Sequence, residues 1–163
     1  MPYPPKLDAI VTLFEGLSEP ERRETLITYA DQAKNKEPRP GDIFDLEDIR
    51  KDEECTDSVG VFLKIDAKRH VHFKITLGPK VQTLTRAMTS ILCKALEGLT
   101  LEEVEQVPQD FVPKIVGAEL VRVRSQTVYY VLTRMKSAAK AFLRREKREA
   151  LEQDEKQKAS SAN

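Results

Sequence analysis

At 163 residues, 33% of them charged and 40% hydrophobic, the chain is long enough to bury its own core and reads as one soluble, somewhat polar domain. Its 27 basic and 27 acidic side chains cancel to a net charge of zero, which argues against nucleic acid or an anionic membrane as a partner. Two cysteines are too few for a disulfide framework, no apolar run approaches a membrane span, and the mixed charges Lys6, Asp8 and Glu15 do not make a transit peptide, so a cytoplasmic, reducing setting is expected.

After a proline-marked lead-in, Leu7, Ile10, Val11, Phe14 and Leu17 follow helical spacing, which predicts a helix over 5–16. Ser18 and Glu21 form a capping box, with Pro20 tolerated in the first turn of a second helix over 19–34. Leu26, Ile27 and Ala30 are assigned to its inner face. Pro38, Pro40 and Gly41 then break helix, and a short strand or turn is placed near 43–49.

Beyond Cys55 the period switches to two. Val59, Val61, Leu63 and Ile65 alternate with Gly60, Phe62 and Lys64; Val71, Phe73 and Ile75 alternate with His70, His72 and Lys74. This predicts a two-stranded antiparallel hairpin with one face toward the core. Gly78-Pro79 opens a helix over 79–97 with Leu84, Ala87, Met88, Ile91, Leu92 and Ala95 as its stripe, stopped by Gly98. Thr100 and Glu103 make a second capping box, and a helical turn is placed between Pro108 and Pro113. Ser125 is assigned as the cap of a last helix burying Val128, Val131, Leu132, Met135, Ala138, Ala139 and Phe142.

Strands set apart from helices give an α+β fold, a small antiparallel sheet packed against a layer of helices. Residues 1–143 form the domain. The apolar stripe fades there, so 144–163 reads as a charged helical extension running into a disordered tail.

Cys55 stands out chemically, because a thiolate is a good nucleophile and this cysteine lies at a strand entrance rather than in a helix. A small, half-buried structural cysteine is the plainer alternative. Asp52, Glu53, Glu54 and Asp57 crowd it with negative charge, which disfavours the thiolate. Two routes would activate it: a nearby cation such as Arg124, or positive charge supplied by a docked partner. Cys93 sits mid-helix near the apolar stripe and reads as a core residue rather than a resolving thiol. His70 and His72 share a strand face, but no third ligand falls at a metal-binding spacing. The run from Arg144 to Arg148 interleaves both signs and reads as a solvated face. No phosphate loop, Ser-His-Asp set or HExxH motif is present.

The order of motifs over about 5–140 resembles the SufE family of sulfur acceptors. Arg22-Arg23-Glu24-Thr25-Leu26-Ile27 matches the family's Arg-aromatic-x-x-Leu-Ile helix without its aromatic residue. Glu54-Cys55-Thr56-Asp57-Ser58-Val59 stands where the family has Gly-Cys-x-Ser before a strand, and of that motif only the cysteine and the strand context agree. Phe73 and Thr85-Arg86-Ala87-Met88 fit later positions, while Pro79, Lys80 and Val81 replace an acidic stretch. Gly98-Leu99-Thr100 with Glu103 resembles Gly-Lys-Thr-x-x-Glu, and the segment from Leu120 to Gln126 resembles Leu-x-x-x-Arg-x-Asn.

The resemblance implies a SufE/IscU-like fold and a sulfur carrier. Cys55 would accept persulfide sulfur from a PLP-dependent cysteine desulfurase, stimulate that enzyme, and pass the sulfur to an iron–sulfur scaffold complex. Arg124 would be an electrostatic helper and Arg86 a second family arginine. No metal or organic cofactor of its own is implied, and the protein would act as a monomer or homodimer, as a desulfurase partner rather than a stand-alone enzyme. The alternatives are a desulfurase-binding adaptor in which Cys55 is incidental, an IscU-like cluster scaffold, for which two cysteines are few ligands, and a helical interaction module using the charged C-terminal helix.

Overall fold

The computed structural model describes residues 3–50 and 58–161, without the side chain of Arg50. Helix α1 (Pro5–Glu15) buries Leu7, Ile10, Val11 and Phe14, the expected stripe. Helix α2 (Glu19–Asp31) starts on the expected capping box: Glu21 N donates to Ser18 Oγ at 3.4 Å and Ser18 N to Glu21 Oε1 at 2.9 Å. It stops three residues short of residue 34, and Ala33–Lys36 continues as a 3₁₀ turn. Its inner face is Leu26, Tyr29 and Ala30. Ile27, expected there, is 49% exposed, because the turn of the helix carries it off the stripe that its neighbour Leu26 occupies.

The sheet has three antiparallel strands in the order β1 (Leu46–Arg50), β2 (Val59–Ile65), β3 (Val71–Leu77). The expected hairpin is β2–β3, with Val61 opposite Ile75 and Leu63 opposite Phe73, all buried. The third strand forms where only a strand or turn was foreseen. Asp48 lies opposite Val61 and Arg50 opposite Val59. The outer face is also partly covered, since the Phe44 ring packs on that of Phe62 with centroids 5.2 Å apart.

Helix α3 (Thr83–Ala95) starts four residues later than expected. Gly78 N donates to Ser58 O at 2.8 Å and Val81 N to Gly78 O at 3.3 Å, so Pro79 sits in a turn that ends the β3 ladder rather than in the helix. Past the helix, Gly98 (φ +80°) reverses the chain as foreseen, and Val71 N bonds Leu99 O at 2.7 Å.

Helix α4 (Leu101–Gln106) carries the second capping box, both bonds at 3.1 Å. Helix α5 (Val112–Val116) follows the proline-marked turn, and Gly117, at φ +92°, joins it to α6 (Ala118–Val123), which was not foreseen. Helix α7 (Ser125–Ser161) buries all seven expected apolar residues. Arg124 O accepts from Val128 N, so the cap position falls on Arg124 and Ser125 is the first helical residue. The helix runs on to Ser161, with every residue from Lys147 to Ser161 exposed. Good helix formers and an Asp154–Lys158 pair four residues apart, at 3.6 Å, support it there.

The core is closed by α3, packed by α1, α2 and α7, while α7 also lies along β1 and β2. Among the described residues no helix is long and apolar enough to cross a membrane.

Candidate functional site

Cys55, the expected carrier, lies outside the described residues, but both strand ends that lead to it are described. Arg50 ends β1 as the register partner of Val59, the first residue of β2. The chain from 51 to 58 is therefore the connection of an antiparallel hairpin.

One buried side chain ties these two strand ends together. Arg134, on the inner face of α7 and 2% exposed, donates from Nη1 to Val59 O and from Nη2 to Asp48 O, both at 2.8 Å. Its Nε lies 3.5 Å from Asp48 Oδ2, and Nη1 also meets Tyr130 Oη at 3.0 Å. A planar guanidinium suits the task, because its fork bonds two carbonyls on adjacent strands at once. Sequence reading missed this residue. The available signal was an arginine three residues after Val131 and four before Ala138, on the apolar stripe of the helix.

Arg86 reaches the same end of the sheet. Its Nη2 is 3.4 Å from Gly78 O, one residue beyond β3 and bonded in turn to Ser58. Arg124 is exposed and lines a shallow groove with Arg23, Gln82, Thr83, Leu84 and Leu120, at the start of α3. Arg86 thus bonds the residue that meets Ser58, and Arg124 lies by the start of α3 that follows it.

The other titratable groups are arranged differently. Cys93 is 4% exposed, and burial pushes its thiol up to about 12, so it is not a thiolate at neutral pH. His72 lies between two carboxylates, its Nδ1 against Glu97 and its Nε2 2.9 Å from Asp66 Oδ2. The Asp66 hydrogen bond is the main cause of its raised pKa; Asp66 is held at about 2, chiefly by His72. Both ring nitrogens of His72 are thus engaged by carboxylates. Among the described residues no group of three or more histidines, cysteines and acids is placed to hold a metal ion.

A three-stranded antiparallel sheet backed by helices, with a cysteine in the sequence between β1 and β2, defines an α+β domain. The model of the SufE Fe-S metabolism associated domain matches residues 8–139. The chain belongs to the SufE family, a family associated with iron–sulfur metabolism. It is also similar to the solution structure of a hypothetical protein from Thermus thermophilus. The TM-score is 0.64 at 26% identity, covering 86% of this chain and 98% of that one. A search of curated proteins finds no match to the chain.

Proposed function

We propose that the protein accepts sulfane sulfur on Cys55 from a PLP-dependent cysteine desulfurase and delivers it to an iron–sulfur scaffold complex. The observation that carries this reading is the family match over 8–139, which spans the hairpin whose connection holds Cys55. The resemblance noted in the sequence, a cysteine followed by a strand, supports Cys55 as the carrier.

In the transfer, the Cys55 thiolate attacks the terminal sulfur of the donor's persulfide. The donor's sulfur–sulfur bond breaks, its cysteine leaves as a thiolate, and a new sulfur–sulfur bond forms on Cys55. Donor and acceptor exchange one sulfur atom with no net oxidation, as in thiol–disulfide exchange. The rate follows thiolate fraction and access. Asp52, Glu53, Glu54 and Asp57 oppose the thiolate, so the free protein is a slow acceptor and positive charge must offset them. Arg124 is the candidate in this chain, and a docked desulfurase supplies the rest. Cys55 is three positions from Ser58 in the sequence, and a chain spans at most about 3.6 Å per residue. The reaction is therefore confined to the end of the sheet where Arg86 and Arg134 act.

Incubation with a desulfurase and cysteine should add the mass of one sulfur atom, removable by reductant and absent in Cys55→Ser. Unchanged desulfurase stimulation by Cys55→Ser would replace this reading with a purely adaptor role.

A further inference from the structure

A cleft of about 770 Å³ opens between the 3₁₀ turn, the loop before β1, strands β2 and β3, and α3. Its volume is in the range of small-molecule sites. Lys64, at its wall, is five positions along β2 from Val59, or about 17 Å at the rise of a strand. The cleft is therefore separate from the Cys55 end of the sheet.

Its chemistry is divided in two. Phe44, Phe73 and the buried Cys93 give an apolar floor, and Ile43, 81% exposed, stands at the rim. Around that floor stand five lysines from five different elements, Lys6, Lys36, Lys64, Lys74 and Lys94, of which Lys6 donates to Glu97 O at 3.3 Å. Among the described residues, none of the five has a carboxylate within 4.0 Å. Of the three acids in the lining, Asp66 and Glu97 are engaged by His72, and Asp42 accepts from Arg39 N at 2.8 Å. Lys36 and Lys74 are half-buried, and they are the two cations whose charge acts on the Cys93 thiol, so both converge on the floor.

In a chain of zero net charge this is a local excess of positive charge over a low-dielectric wall, which focuses the potential into the cleft. Half-buried ammonium groups without a counter-charge are costly, and an anion between them relieves that cost. A bare inorganic anion would leave the aromatic floor unused. We propose that this cleft binds a small organic anion, a flat apolar body carrying a carboxylate, sulfonate or phosphate. The anionic group lies between Lys36 and Lys74 and the body lies on Phe44 and Phe73. This assignment does not depend on the role of Cys55.

The test uses the full chain and 8-anilinonaphthalene-1-sulfonate, an aromatic monoanion, with its uncharged relative N-phenyl-1-naphthylamine as the control. Expected are saturable binding of one sulfonate probe, weaker binding of the uncharged one, and affinity that falls with salt. Amide shifts in nitrogen-15 spectra should centre on Phe73, Lys74, Cys93 and Lys94. The double variant Lys36→Met, Lys74→Met should weaken binding by about tenfold or more, and Lys36→Arg, Lys74→Arg should retain it. The shift map on the unaltered protein decides the matter even where the methionine variant does not fold. Shifts centred elsewhere, equal affinity for the uncharged probe, or no saturable binding at millimolar concentration would overturn the assignment.

Discussion

Arg134 Nη1 donates to the Val59 carbonyl at 2.8 Å across 75 positions of sequence, from a side chain only 2% exposed. Its other nitrogen holds Asp48 O, so one guanidinium binds both strands that lead into the Cys55 connection. Arg134→Met would leave two carbonyls and the Asp48 carboxylate without it. The expected loss is about 3 kcal/mol in urea unfolding. Arg134→Lys should recover only part, because a single ammonium cannot span both strands. A loss below about 1 kcal/mol for the methionine variant would show that the contact is energetically idle.

The two thiols should differ in reactivity because of burial. Cys93 is 4% exposed and pushed up to about 12. Iodoacetamide at mildly alkaline pH should leave Cys93 unmodified in the folded protein and alkylate it fully in denaturant, as read by peptide mapping. Rapid alkylation of Cys93 under native conditions would contradict the packing of α3.

The His72 cluster predicts a pH dependence of definite sign. Its folded pKa is raised above 6.5, first by Asp66 and further by Glu97, against the opposing effect of burial. That stabilisation is fully present below about 6.5 and is lost as pH rises through the folded value. Asp66, lowered from 3.8 to about 2, contributes above 3.8, and its contribution is lost as pH falls toward 2. The melting temperature should therefore drop more on His72→Gln at pH 6 than at pH 9. A drop independent of pH would remove the imidazolium from the account.

Thr100→Ala removes an acceptor from the first turn of α4, where the Glu103 N–H bonds Thr100 Oγ1 at 3.1 Å. The expected cost is about 1 kcal/mol, read as a lower melting temperature. Thr100→Ser should be nearly neutral, since the hydroxyl is kept.

Local patterns made much of this fold readable. The α1 stripe, both capping boxes, the β2–β3 alternation and the seven apolar residues of α7 need only neighbours three, four or two positions away. What escaped depends on distant residues. Strand β1 has Asp48 on its inner face, a poor strand signal until Arg134 arrives from 86 positions away. Pro79 reads as a helix start because proline suits a first turn, yet the Gly78–Ser58 bond assigns it to a turn. Ile27 was misplaced because a one-residue step looks apolar in composition but rotates off the buried face. Of the candidate site, the sequence pointed to Cys55, which lies outside the described residues, to Arg86, which the fold brings to the end of the sheet at Gly78, and to Arg124, which lies in a groove at the start of α3. Arg134 and the lysine cleft are assembled from separate elements and have no contiguous motif.

Arg134 also sets an order of events during synthesis. The strand ends at Asp48 and Val59 leave the ribosome long before the arginine that joins them. Until α7 has emerged, the nascent hairpin lacks its clamp. Completion of the C-terminal helix is thus the step that joins β1 to β2 at that end, so a chain truncated before residue 134 would keep both strands but not the guanidinium that holds them together.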